Sequence, residues 1–146
     1  MPRLKAKCSN GPLLAITRSR QWKKHLVYIL SANKWYKYRS RKRSHIIYIG
    51  TTGKGGTRPA TSAVDKASQV FYRLRGVKTV EVHLVTCAGK KATPTWKRLE
   101  SALLHAFEQR HYQLPKFNKQ RPAFDEQKDI LFKQQALQKI IARFEP

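Results

Sequence analysis

Ser44-His45-Ile46-Ile47-Tyr48-Ile49-Gly50, followed by Thr51-Thr52-Gly53-Lys54-Gly55-Gly56-Thr57-Arg58, organises the rest of this chain. Ile46, Ile47, Tyr48 and Ile49 are β-branched or aromatic and glycine ends the run, which predicts a short buried strand. A glycine-rich loop with the cations Lys54 and Arg58 comes next, and Pro59 opens an amphipathic helix. A strand that delivers its chain through a basic loop to a helix N-terminus offers backbone N–H groups and positive charge to an anion.

On the N-terminal side, Leu26-Val27-Tyr28-Ile29-Leu30 is an apolar run that predicts a first strand, ended by Ser31-Ala32-Asn33. Residues 34–43, KWYKYRSRKR, form a basic insert and an enlarged connection between two antiparallel strands. On the C-terminal side, Ala60, Ala63, Val64, Ala67, Val70, Phe71 and Leu74 recur at the helical period until Gly76 stops them. Thr79 to Val85 is β-rich and makes a third strand. Thr93-Pro94 starts a second helix that runs to about Tyr112, before Pro115. Phe124 and Asp125 supply a staple and N-cap for a C-terminal helix, with Ile130, Leu137, Ile141 and Phe144 on one face. The expected fold class is α+β: a small three-stranded antiparallel sheet flanked by helices, in the order β-β-α-β-α, with an added C-terminal helix. The expected division is a basic extension over 1–21, which docks through Leu13, Leu14 and Ile16, a domain over 22–121, and the C-terminal amphipathic helix over 122–146.

The charge limits the partners. Thirty-one Lys and Arg against eight Asp and Glu give +23, and no acidic residue precedes Asp65. So one-sided a charge disfavours compaction unless a polyanion neutralises it, and nucleic acid is the expected polyanion. The basic stretch carries no helical apolar face, so a membrane surface is the weaker partner. There is no transmembrane run, and Pro12-Leu13-Leu14-Ala15-Ile16 is too short for a signal core, so a cytoplasmic location is expected. Cys8 and Cys87 have no metal-binding spacing and read as reduced thiols, Cys87 buried near a strand end.

Glu100 stands out among the acidic residues. On the 94–112 helix Trp96, Leu99, Leu103 and Phe107 share one face, and Glu100 falls just inside that apolar sector. A carboxylate there costs free energy unless a cation or hydrogen bonds satisfy it. As a cation, the partner is a Lys or Arg in a salt bridge or a hard divalent ion, which needs few protein carboxylates and keeps several waters. Arg58, near the N-cap of the first helix, is one more surface arginine or a bidentate phosphate ligand. Tyr28 and Tyr48 pack as strand aromatics, or act as phenols whose ionisation needs a neighbouring cation. The five histidines show no HExxH or HNH-like spacing, and His45 alone lies close to the second strand's start.

Leu26-Val27-Tyr28, Tyr48-Ile49-Gly50, Arg58, Glu100 and Pro115-Lys116-Phe117-Asn118, taken together in this order, resemble the GIY-YIG nuclease domain. The interval from tyrosine to arginine, 58 − 48 = 10, is that family's spacing, and the resemblance covers roughly residues 24 to 119. The chain departs from the pattern at Leu26, where the family usually has glycine, and at Ser62, where many members carry histidine or tyrosine. The resemblance implies phosphodiester hydrolysis with one Mg²⁺ (or Mn²⁺) held by Glu100. Arg58 would stabilise the transition state, and Tyr48 with Tyr28 would position or deprotonate the attacking water. Asn118 would order the site by hydrogen bonding. It further implies a bacterial or phage-encoded protein acting on DNA, at the nucleoid or on foreign DNA.

The insert mixes aromatics with cations, which suits a polynucleotide: Lys37, Arg39, Arg41, Lys42, Arg43 and Lys54 hold backbone, and Trp35 stacks or wedges. A homodimer, or a partner supplying specificity, fits the absence of a separate specificity domain in the sequence. The rival class is a non-catalytic basic DNA- or RNA-binding protein. Glu100 separates the two, because a binder has no use for a carboxylate in that place.

Overall fold

The computed structural model describes residues 5–12, 15, 26–52, 58–85, 95–121 and 132–146, with backbone alone at 26, 52, 58–63, 95 and 96. Strands β1 (Leu26–Lys37), β2 (Arg43–Thr52) and β3 (Val80–Val85) form an antiparallel sheet in the order β2-β1-β3. Helices α1 (Arg58–Arg73), α2 (Thr95–His111) and α3 (Gln134–Ala142) flank it. The α+β class, the three antiparallel strands and the flanking helices are as the sequence reading has them. Leu13, Leu14, Ile16, Cys87, Phe124 and Asp125 lie outside the described residues.

Residues 34–43 are not an enlarged connection. β1 continues through Lys37 and β2 begins at Arg43, leaving a loop over 38–42 closed by Tyr38 N–H to Lys42 O at 3.0 Å and by Arg41 N–H to Tyr38 O at 2.9 Å. Arg41 takes the left-handed conformation that the turn requires, with φ 69°. Tyr36 within the prolonged strand is half-buried, and Tyr38 just past its end faces inward. Tyr38 is buried, its hydroxyl donates to Ile46 O at 2.6 Å, and its ring meets Phe107 edge-on at 5.0 Å. Lys37 and Arg39 on either side stay exposed.

The decisive irregularity sits in β2. Leu30 pairs with Tyr48 but Ser31 pairs with Ile46, so Ile47 is an extra residue, a β-bulge. Strict alternation would put Ile46 with Tyr48 and Ile47 with Ile49. The bulge instead gives Ile46 and Ile49 to the core shared with α2 and α3, through Leu103, Phe107, Leu137 and Ile141. Ile47 and Tyr48 go to the opposite face with Leu30, Val70 and Phe117. Both faces of the sheet are thereby covered, and Tyr48 is aimed at the side of α1.

α1 ends as expected, with Gly76 at φ +76° beyond its last turn. Its buried sector is narrower than the sequence stripe: Val70 is buried, Ala67 and Leu74 are half-buried, and Val64 and Phe71 are exposed. Of the helix expected over 122–146, residues 122–131 lie outside the described residues; residues 132 and 133 are not helical, α3 begins at Gln134, and Phe144 lies past its end. Leu137 and Ile141 are buried in the shared core, and Gln138 Nε2 donates to Ala106 O at 3.2 Å, so α3 packs on α2 of its own chain. The tail after α3 is bound to β2, where Phe144 O accepts from His45 N–H at 2.8 Å and from Ser44 Oγ at 3.3 Å.

Candidate active site

Tyr28 faces Gly50 across β1 and β2, and Tyr48 lies two residues earlier on the same face. The two rings sit 5.8 Å apart at 41°, a diagonal cross-strand pair. Tyr28 is fully buried and Tyr48 half-buried, so Tyr48 alone presents part of its ring to solution. Gly50 makes the pair possible. A Cβ there would stand 2.6 Å from Tyr48 Cε1 and 2.9 Å from the Tyr28 oxygen, closer than atoms pack. Gly50→Ala is therefore expected to cost about 1–3 kcal/mol by overpacking and to part the two phenols. Thermal unfolding and near-ultraviolet circular dichroism check this; an unchanged melting temperature would contradict it.

The Tyr48 phenol is held above its ordinary pKa, first by burial and then by the negative charge of Glu100, while a hydrogen bond with Tyr28 pulls the other way. Glu100, brought in by α2, is itself raised by burial, which Lys97 only partly offsets. Lys66 of α1 places its Nζ 4.9 Å from the centre of the Tyr48 ring, a cation–π contact. Lys66 escaped the sequence reading. Its signal was available, since it lies one turn before the buried Val70 and so on the inward side of α1.

Asn118 is held against this site by the edge of the sheet. β2 is an outer strand, and the turn at Pro115–Asn118 covers its free side. Phe117 N–H donates to Ile47 O at 2.9 Å. The Asn118 amide then takes both ends of one residue: Ile49 N–H donates to Oδ1 at 3.0 Å and Nδ2 donates to Ile49 O at 2.8 Å. Asn118 thus fixes the peptides on either side of Ile49, between Tyr48 and Gly50, and acts as a positioning residue.

Tyr28, Tyr48 and Asn118 are joined by these contacts, and Glu100 reaches the Tyr48 phenol through its charge. Arg58 is the first residue of α1, with Pro59 in the first turn, and its side chain lies outside the described residues, as does Lys54. The donor set suits a hydrated Mg²⁺ or Mn²⁺, which accepts one carboxylate and completes its shell with water and phosphate oxygens. It does not suit an ion that demands an all-protein cage: among the described residues no three His, Cys, Asp or Glu side chains form a metal-holding group.

The cations of the hairpin stand apart from this cluster. Lys37, Arg39, Arg41, Lys42 and Arg43 are exposed, and among the described residues none forms a salt bridge. Trp35 is 41% exposed and stacks on His45 at 3.4 Å. Tyr36 and Tyr38 are structural; Lys116 lies over the Tyr36 ring. No helix among the described residues is long and apolar enough to cross a membrane. No family model, no curated protein and no solved structure matches this chain.

Proposed function

We propose that this chain is a divalent-metal-dependent DNA endonuclease of the GIY-YIG type, hydrolysing phosphodiester bonds. The observation that carries the reading is the Tyr28–Tyr48 pair, under the influence of the Glu100 charge, beside a strand clamped by Asn118. Glu100 holds the Mg²⁺ or Mn²⁺, which when bound polarises the scissile phosphate and stabilises the leaving oxygen. Tyr48 faces the attacking water and orients it or takes its proton, while the buried Tyr28 hydrogen-bonds to Tyr48 and holds its direction. Burial and Glu100 oppose ionisation of Tyr48; the hydrogen bond with Tyr28 favours it. Arg58, at the N-terminus of α1, neutralises charge building on the phosphate. The test is incubation of purified protein with plasmid and Mg²⁺, beside a chelator control. Mg²⁺-dependent nicking or linearisation supports the enzyme. Absence of cutting across varied DNA sequences, with binding intact, supports the non-catalytic binder.

The hairpin is the DNA-gripping surface in this reading. Replacing Lys37, Arg39, Arg41, Lys42 and Arg43 together with glutamine removes five cations. Each cation that contacts a phosphate contributes about 0.9 to the slope of log K against log salt, so the slope should flatten by roughly 2–4. Anisotropy titrations of labelled duplex at several salt concentrations measure it. An unchanged slope removes the hairpin from the interface.

A further inference from the structure

A second site lies where the C-terminal tail crosses the sheet. A cavity of about 360 Å³ opens there, and its walls include Asn33, His45, Glu81, His83, Arg143 and Phe144. Its groups are oriented. His45 Nδ1 lies 2.8 Å from Lys34 O; a carbonyl only accepts, so Nδ1 carries the hydrogen and Nε2 is left uncommitted. Trp35 backs the same ring. His83 meets Phe144 edge-on at 4.9 Å, and its Nε2 is 3.1 Å from Glu81 Oε2. Among the described residues the Arg143 guanidinium has no salt bridge.

This mixture narrows the ligand. A bare anion would be repelled by the Glu81 carboxylate in the wall. An apolar molecule would strip water from these polar groups without replacing it. A flat ring with an amino donor at one side and an anion at the other uses them all. The volume is at the small end of ligand pockets, which span roughly 300–1,000 Å³, so it admits one nucleotide. We propose that this cavity binds a single unstacked nucleotide, its base against Phe144 and the Trp35-backed His45 ring, its exocyclic amine on Glu81 and its phosphate on Arg143. The inference rests on the nucleic-acid reading above and adds that an unpaired strand is engaged away from the tyrosine cluster. Cytosine has the amino group that a carboxylate accepts from, and thymine lacks it. The site should therefore prefer dCMP to dTMP.

Amide chemical shifts of the full-length protein, titrated with dCMP, dTMP and inorganic phosphate, test this. dCMP is expected to give saturable shifts at Asn33, His45, Glu81 and Phe144, with dTMP at least fivefold weaker and phosphate not saturating. Arg143→Gln, at an exposed position, should weaken dCMP at least tenfold, and Glu81→Gln should erase the preference over dTMP. Absence of saturable shifts at these residues, or equal binding of dCMP, dTMP and phosphate, overturns the proposal. Duplex binding and plasmid cutting are measured separately. Protein that binds duplex but not dCMP loses this cavity and keeps the function proposed above; protein that binds dCMP but not duplex does the reverse.

Discussion

Glu100→Gln is expected to lower Mg²⁺-dependent plasmid cleavage by at least about 10³-fold, the scale of removing a principal electrostatic group from a transition state, while raising the melting temperature. The two effects have one cause. A half-buried carboxylate with its pKa pushed up by burial costs the fold free energy whenever it is charged. Glutamine keeps the shape and removes the charge, so a gain of about 1 kcal/mol is expected, the usual exchange of function for stability. The sign with pH follows. Because the folded pKa lies above the unfolded value, the stabilising contribution of the protonated form is complete below the unfolded value and is lost as pH rises through the folded one. The variant's advantage should thus be full at neutral pH and shrink as pH falls toward 4. Cleavage assays and scanning calorimetry across pH measure both. Undiminished cleavage would remove Glu100 from the chemistry; lost cleavage with lowered stability would make Glu100 a structural ion-pair member instead.

How far the sequence reveals this site varies residue by residue. Period and composition were enough for three strands and two helices, because β-branched runs and the Val70–Leu74 stripe are local signals. The bulge at Ile47 was hidden: Ile46 to Ile49 is apolar throughout, so nothing in it marks which side chain faces which layer. That bulge is what turns Tyr48 toward α1. KWYKYRSRKR reads as a connection because its charge outweighs its alternation, although Tyr36 and Tyr38 lie two apart, as side chains on one face of an extended chain do. Glu100 is visible as a carboxylate at the margin of an apolar sector, whereas Lys66 is one cation among 31. Asn118 was legible only through family resemblance. Its grip on Ile49 spans 69 positions, and no periodicity reports so distant a contact.

The same blindness to distant contacts hides the ion-pair cluster that ties the tail to α2, and its removal carries a large expected loss of stability. Glu145 forms a two-pronged pair with Arg110, with Nη2 to Oε2 at 2.7 Å and Nε to Oε1. His111 is fully buried beneath it, stacked on Phe107 at 4.3 Å, with Nε2 2.9 Å from Glu145 Oε1 but off the line of a directed hydrogen bond. Burial lowers the His111 pKa most, with Glu145 opposing; Glu145 is itself lowered overall, since Arg110, His111 and Lys42 together outweigh its burial. Glu145→Ala leaves Arg110 and the imidazole without their counter-charge. Breaking a buried pair costs about 3–5 kcal/mol, and part-exposure of Arg110 reduces this to about 2 kcal/mol. For a chain of this length that is about 5 °C of melting temperature. The pH dependence distinguishes the two groups. Both folded pKa values lie below the unfolded ones, so each contribution is complete above the unfolded value and is lost as pH falls through the folded value. Wild type should lose stability on acidification from about pH 6.5 through His111 and again below about 4.5 through Glu145. In Glu145→Ala the lower loss should disappear, and the upper should steepen, because the charge that favoured protonated His111 has gone. Unfolding by urea at pH 7.5, 5.5 and 4 resolves the two ranges. Parallel wild-type and variant profiles would show that the tail is held by Phe144 and its carbonyl alone.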